Sequence, residues 1–310
     1  MARATDAIYV RYQVQDLDKQ EAFMSDFGLA TARHDKSALY MRGTGPAPFI
    51  YVAEQGTTNK FLGAGMNVSS EEDLSALAKM PHSGPIEDVD GPGGGRRVRM
   101  RMPDGFEIDA VHGAKLAAAL ALPEPRLFNS GHEKARSNAS IRVERKAAPA
   151  IKLGHVVLHV RDHAASVAWM KERFGMLPSD YLAIPGQADQ IIGTFMRVNK
   201  GAELTEHHCL FILQADTPGV HHCSFELPDL DAVMSAHDYL SGKGYKLDCG
   251  VGRHLLGSQI FDYWRDPFGF RVEHYTDGDV VDVNHKPTVF AGTAEETTQW
   301  GAAPPPEFFR

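Results

Sequence analysis

Tyr9-Val-Arg-Tyr-Gln-Val-Gln-Asp16 and His155-Val-Val-Leu-His-Val-Arg-Asp162 carry one pattern at two places in the chain. Each is a strand-like run that ends on aspartate and leads into a helix-like stretch closing on Phe-Gly, Phe27-Gly28 in the first case and Phe174-Gly175 in the second. A second pair repeats further on. Met102-Pro-Asp-Gly-Phe-Glu-Ile-Asp109 lines up with Asp266-Pro-Phe-Gly-Phe-Arg-Val-Glu273, with the proline, the glycine, the Phe after it and the final carboxylate in register. Such self-similarity marks duplicated domains. Within each half a strand, a helix of about ten residues and several short strands follow one another, and that order occurs twice. The expected fold is therefore α+β, with two domains of two βαβββ modules each.

The expected boundaries are 1–113 for the first domain, 114–150 for a linker, 151–282 for the second domain and 283–310 for a tail. The linker is rich in Ala, Pro and charge (Leu122-Pro-Glu-Pro-Arg126, then Glu133-Lys-Ala-Arg136 and Val143-Glu-Arg-Lys146), and a short helix is expected in it. The tail, with Pro287, Pro304, Pro305, Pro306, Trp300, Phe308 and Phe309, reads as an extended arm lying on the body.

At 310 residues the chain can bury two cores without staples. Cys209, Cys223 and Cys249 are too few and too scattered for a disulfide framework, which favours a reducing cytoplasm. The N-terminus has no apolar run of signal-peptide length, and no stretch of about 18 apolar residues could cross a membrane. With 40 acidic against 32 basic residues the net charge is -8, which disfavours a nucleic-acid partner. The one basic run, Arg96-Arg-Val-Arg-Met-Arg101, alternates like a polar strand face. Gly91-Pro-Gly-Gly-Gly95 lacks the Lys and following helix of a phosphate loop and reads as a hairpin connection.

All but four of the 15 histidines (His34, His82, His112 and His132) follow residue 150. Side chains alternate along a strand, so His155 and His159 share one face, His222 and Glu226 share another, and Glu273 lies with Arg271 and Tyr275 opposite the apolar Phe270 and Val272. A single strand histidine is more often a hydrogen-bonded residue than a ligand. The comparison of halves changes the odds, because the matched positions of the first domain carry Tyr9, Met66 and Asp109, which make no hard-metal site. His155, His222 and Glu273 together form a set of two imidazoles and one carboxylate, suited to Fe(II), Mn(II) or Zn(II), and a buried glutamate needs such compensation. The first domain is expected to hold no metal. His221, next to His222, faces away if the strand is regular. His207 and His208 cannot be told apart by parity, since apolar residues flank both faces of His207-His-Cys-Leu-Phe-Ile-Leu213.

Taken with Glu206-His-His208-Cys-Leu, Val251-Gly-Arg-His254 and Phe261-Asp-Tyr263-Trp-Arg-Asp-Pro-Phe-Gly269, these strands resemble the type I extradiol ring-cleavage dioxygenases of the vicinal oxygen chelate superfamily. The resemblance spans both domains and is strongest from Leu153 to Tyr275. It implies metal ligands at His155, His222 and Glu273, an acid/base histidine at His208, a substrate-side histidine at His254 and an active-site tyrosine at Tyr263. It implies Fe(II) as the expected ion with Mn(II) as the alternative, a catechol-type substrate, O2 as second substrate, cleavage beside the diol, and a homo-oligomer, a tetramer among the forms considered. His208 would take a phenolic proton and return it later, His254 would orient the substrate oxygen, and Tyr263 would hydrogen-bond it.

Other enzymes on the scaffold, such as a glyoxalase, an epimerase or a keto-acid dioxygenase, lack the Gly-Arg-His with downstream Tyr, and three intact ligands with His208 argue against a non-catalytic drug-binding module. Arg253 is a candidate to support His254 or hold a substrate substituent, and His159 a candidate to support His155. The segment Tyr181–Phe195 offers apolar and amide groups but no Lys or Arg, which favours an alkyl- or aryl-substituted ring over a carboxylated one.

Overall fold

Four aspartate or serine side chains start the four helices of the computed structural model, which describes residues 2–291, 293, 297–301, 304–305 and 308. Asp16, Ser70, Asp162 and Asp229 each accept a hydrogen bond from the backbone N–H three residues on, the usual N-cap role of short polar side chains. Asp16 and Asp162 are the aspartates that close the two repeated strands. The repeat is therefore a strand followed by a capped helix.

Each cap opens a βαβββ module. The first is β1 (Ala4–Val14), α1 (Leu17–Asp26), β2 (Ala30–His34), β3 (Ala38–Arg42) and β4 (Tyr51–Gln55). The second is β5 (Lys60–Val68), α2 (Glu71–Leu77), β6 (Ser83–Asp88), β7 (Arg96–Arg101) and β8 (Glu107–His112). The third is β9 (Leu153–Val160), α3 (His163–Phe174), β10 (Leu177–Ile184), β11 (Gln187–Arg197), the two-residue β12 (Thr205–Glu206) and β13 (Leu210–Gln214). The fourth is β14 (Gly219–Glu226), α4 (Leu230–Gly242), β15 (Lys246–His254), β16 (Ile260–Arg265) and β17 (Arg271–Thr276). After it come β18 (Val280–Val281), β19 (Val289–Ala291) and β20 (Thr298–Gly301).

Modules pair into sheets. The first two form an eight-stranded sheet in the order β2-β3-β4-β1-β5-β8-β7-β6, and the last two form the centre of a ten-stranded sheet, β19-β10-β11-β13-β9-β14-β17-β16-β15-β20. In both, the module-opening strands meet antiparallel at the middle, β1 with β5 and β9 with β14. The α+β architecture of βαβββ modules is thus the one expected. Described tail residues supply the outer strands β19 and β20; Pro306 and Phe309 lie outside the described residues.

One apolar core runs through both halves, from Val10 and Phe27 to Phe225 and Trp264. At the seam, Gln20 Nε2 donates to Asp266 Oδ2 (3.0 Å) and Phe27 O lies 2.7 Å from His274 Nε2. Gly28 ends the first helix where residue 148 returns; a Cβ there would sit 1.8 Å from Ala148 O.

The segment 114–150 carries no helix, contrary to expectation. Its alanine-rich start has good helix propensity, yet Lys115 N, Ala117 N and Leu120 N donate to Gly93 O, Pro46 O and Thr44 O. The first domain holds this backbone extended, and tertiary hydrogen bonds override propensity. The Gly91–Gly95 stretch does join the antiparallel β6 and β7. The basic run on β7 is paired with acids, Arg96 with Glu71, Arg97 and Arg99 with Glu87. Among the described residues no helix is long and apolar enough to cross a membrane.

Candidate metal centre and active site

Five residues form one row across the middle of the larger sheet. His155 on β9 stands opposite Ser224 on β14, Ser224 opposite Glu273 on β17, Glu273 opposite Tyr263 on β16, and Tyr263 opposite Cys249 on β15. Directly paired residues of adjacent strands share a face. The small Ser224 leaves room between its two larger neighbours, and His222, two residues earlier on β14, points into that room.

His155 Nε2 lies 2.9 Å from Glu273 Oε2 and 3.1 Å from His222 Nε2, while His222 Nε2 lies 3.3 Å from the same carboxylate oxygen. All three side chains are buried, Glu273 completely, and together they could hold one metal ion. The contacts are close, yet neither Glu273 oxygen has a partner in hydrogen-bond geometry. That is how atoms aimed at a common point, rather than at one another, behave.

Charge states favour the same reading. Burial pushes the Glu273 carboxyl up, but the imidazoles of His155, His222 and His254 outweigh it and hold the group well below the usual carboxylate range. Burial pushes the His222 imidazole down to about 4. An ionised carboxylate beside a neutral imidazole is the protonation state a divalent cation binds. Among the described residues no Lys or Arg lies within ion-pair distance of Glu273, and a fully buried carboxylate without a cation costs several kcal/mol. Two imidazoles and a carboxylate fit Fe(II), Mn(II) or Zn(II).

The first domain shows the contrast. Its corresponding row is Tyr9, Gly65, Asp109 and Arg99. Asp109 there accepts from the Tyr9 hydroxyl (2.8 Å) and Arg11 (3.4 Å), with Arg97 at 3.6 Å, so arginines compensate it. The counterpart of His222 is not Met66, as the sequence comparison had it. Gly63 pairs with Arg11 as His222 pairs with Val157, and each lies two residues before its row. Met66 belongs to the core on the opposite face. A Cβ on Gly63 would lie 1.8 Å from Glu107 O, so no side chain fits where a second imidazole would be needed.

Beside His155 and His222 opens a cavity lined by His208, His254, Tyr263, Val157, Leu182, Phe195, Phe211, Leu213 and Leu256, among others, with no Lys or Arg among the described residues of its wall. The His208 ring centre is 4.5 Å from that of His155 and 4.9 Å from that of Phe195. His207 turns the other way, its Nε2 lying 2.9 Å from Asp180 Oδ2. His208 is therefore the member of the pair that faces the cavity. Burial, with the nearby His155 and His207, pushes its imidazole well below the ordinary value. His254 Nε2 lies 2.8 Å from the Tyr263 hydroxyl, and burial with the Glu273 charge keeps that hydroxyl protonated, pushed well above its ordinary value. Five of the six candidate residues thus line one space, and Glu273 lies behind it against His155 and His222.

His221 departs from the regular-strand expectation. The β9–β14 register shifts between Val220 and His222, a bulge that turns His221 inward to line the cavity, with Nδ1 2.6 Å from His222 Nδ1. Its Nε2 lies 2.6 Å from Phe308 O, beside the Arg271 guanidinium. Burial and Arg271 push the neighbouring His159 down to about 4, and its ring centre is 5.0 Å from that of His221 rather than against His155. Arg253 is used elsewhere, donating to Ser258 O and Asp277. Sequence reading gave no site role to Asp180, Phe308 or the buried Arg271. Nothing in their local pattern separates them from ordinary strand or tail residues.

Residues 152–274, which include His155, His208, His222, His254, Tyr263 and Glu273, match the model of the Glyoxalase/Bleomycin resistance protein/Dioxygenase superfamily. The second domain is of that superfamily. The chain is 25% identical over 308 residues to "Metapyrocatechase 2" of Cupriavidus necator, covering 96% of this chain and 89% of that one. It is 24% identical over 291 residues to the "Iron-dependent extradiol dioxygenase" of Rhodococcus jostii (strain RHA1), covering 88% and 89%. Among solved structures the Mn(II)-bound glyoxalase from Novosphingobium aromaticivorans superposes with a TM-score of 0.83 at 23% identity over 98% of this chain and 94% of that one, which establishes the shared fold.

Proposed function

We propose that this chain opens the ring of a catechol-type aromatic beside its two hydroxyls, using O2 and placing both oxygen atoms in the product. One observation carries the reading. His208 and the His254–Tyr263 pair face the same small space as His155 and His222, with Glu273 against both imidazoles, so that proton-handling groups surround a candidate metal centre. Both relatives named for ring cleavage align along nearly their whole length, which supports it.

His155, His222 and Glu273 would hold the ion, Fe(II) as the first choice and Mn(II) as the alternative. When bound, that ion supplies Lewis acidity toward the diol and redox chemistry toward O2. The remaining work falls to the protein. His208 is neutral in its buried setting, so it can accept a phenolic proton from the substrate and return it as the ring opens. Tyr263, still protonated, donates a hydrogen bond toward the substrate oxygen, and His254 aligns that hydroxyl. The apolar wall excludes water from the reacting groups.

That wall also selects substrates. Val157, Leu182, Phe211, Leu213 and Leu256 cannot pair with a carboxylate, so the ring should carry an alkyl or aryl substituent. The first domain would act as scaffold. Leu116, Leu122, Leu127 and Phe128, exposed on the segment between the domains, support assembly into a homo-oligomer, which light scattering on the purified chain tests.

Isotope labelling tests the chemistry. Turnover of 3-methylcatechol under 18O2 should place two labelled atoms in an opened product; a product with one label or none would exclude ring cleavage by a dioxygenase.

A further inference from the structure

His208 has a buried partner chain behind it. His208 Nδ1 lies 3.0 Å from His207 Nδ1, and His207 Nε2 lies 2.9 Å from Asp180 Oδ2. The second Asp180 oxygen accepts from Thr288 N (2.8 Å) and Thr288 Oγ1 (2.6 Å). His207, His208 and Asp180 are only 3%, 3% and 6% exposed. Gly257 closes over the two rings, and a Cβ on it would come within 3.2 Å of His207 Nδ1. His207 N also donates to Asp279 O, which fixes the backbone at the pair.

Proton counting along this chain gives one answer. Burial pushes the Asp180 carboxyl up, but hydrogen bonds from His207 and Thr288 outweigh it and keep the group ionised. An ionised carboxylate only accepts, so His207 Nε2 carries a proton toward it. With one proton on each ring, His207 Nδ1 is left as a lone pair. The hydrogen bond between the two Nδ1 atoms then requires the proton on His208. His208 Nε2, the nitrogen not engaged by His207, is left as the basic one.

We propose that Asp180 and His207 are positioning residues that lock His208 into its Nδ1–H tautomer, so that the nitrogen presented to the substrate is always the proton acceptor. The inference rests on the reading of His208 as the proton-accepting group. Asp180, His207 and His285 also lie close enough together to hold a metal ion, but Asp180 and His207 are already partnered, and His285 Nε2 lies 2.9 Å from Ser179 O. They form a hydrogen-bonded chain rather than a ligand set.

Asp180→Asn reverses the chain without changing its shape. Thr288 N must still find an oxygen, so the new amide turns its NH2 toward His207 Nε2. That nitrogen then becomes the acceptor, His207 Nδ1 gains the proton, and His208 is protonated at Nε2. Turnover should fall by about 10²-fold or more, as for loss of a general base, with KM and metal content little changed. His207→Phe should cost as much, and Asp180→Asn added to it should cost nothing further. An Asp180→Asn enzyme with wild-type turnover, or additive losses in the double variant, would overturn the proposal.

Long-range 15N–1H spectra of the full chain loaded with diamagnetic Zn(II) read the tautomer directly, with the His208 signals identified by their loss in His208→Phe. The wild type should show His208 protonated at Nδ1, and a proton at Nε2 would overturn the proposal however the variants behave. This readout does not need turnover. A wild type that shows the Nδ1 proton but cleaves no catechol would sink the dioxygenase reading and leave the positioning chain standing.

Discussion

Gly63 holds in the first domain the register position that His222 holds in the second, and a Cβ on it would lie 1.8 Å from the Glu107 carbonyl oxygen. One copy of the duplicated sheet thus has room for an imidazole where the other has none. Elemental analysis of the purified chain should give one divalent ion per chain. Glu273→Gln should lose most of it and Asp109→Asn should keep it. Full occupancy at unchanged affinity in Glu273→Gln would remove the three-residue site.

The same glycine makes a stability prediction. Gly63→Ala forces its methyl group against backbone that cannot move aside, and should lower unfolding free energy by roughly 2 kcal/mol or more in a urea titration. A change within experimental error would mean that β5 and β8 separate more easily than their pairing suggests.

His208→Phe keeps an aromatic ring against Phe195 and removes the proton acceptor. Metal content and anaerobic catechol binding should survive, while turnover falls by about 10²- to 10⁴-fold. Turnover within the range of the wild type would take His208 out of the mechanism.

Asp266 links the two domains and has a pH signature. Burial raises its carboxyl to about 6 against the hydrogen bonds from Phe268 N, Phe270 N and Gln20. A raised carboxyl means that the folded chain holds this proton more tightly than the unfolded chain, whose value is 3.8. Its contribution to stability is therefore most favourable below the unfolded value, falls as pH rises, and is fully lost above pH 6 or so, a span on the order of 2–3 kcal/mol. Asp266→Asn cannot ionise. Its melting temperature relative to wild type should climb by several degrees between pH 4.5 and pH 7.5; a constant difference across that window would show that Asp266 keeps an ordinary carboxyl in the folded chain.

Much of this was legible in the sequence because it depends on periodicity. The aspartates that cap α1 and α3, the Phe-Gly helix ends and the Pro-x-Gly-Phe turns before β8 and β17 are local signals, and they recur in register. His155 and Glu273 follow from strand parity in the same way. Parity failed where the backbone leaves the regular pleat. The bulge before His222 brings His221 into the cavity, and the register of β5 sets Gly63 rather than Met66 against the His222 position. Propensity failed between residues 114 and 121, where hydrogen bonds to the first domain hold an alanine-rich stretch extended. Asp180 was missed because its role depends on β10 passing behind His207, a contact 27 residues away in sequence.

The central claim is tested most directly with an oxygen electrode. The chain reconstituted anaerobically with Fe(II), and in parallel with Mn(II), is offered catechol, alkyl- and aryl-substituted catechols and carboxylated catechols while O2 and product absorbance are followed. The account predicts one O2 consumed per catechol, a product with the strong visible absorbance of an opened conjugated ring, faster turnover of the apolar-substituted rings, and no activity in Glu273→Gln. No O2 uptake with any catechol and either metal, or uptake that persists in Glu273→Gln, would contradict it.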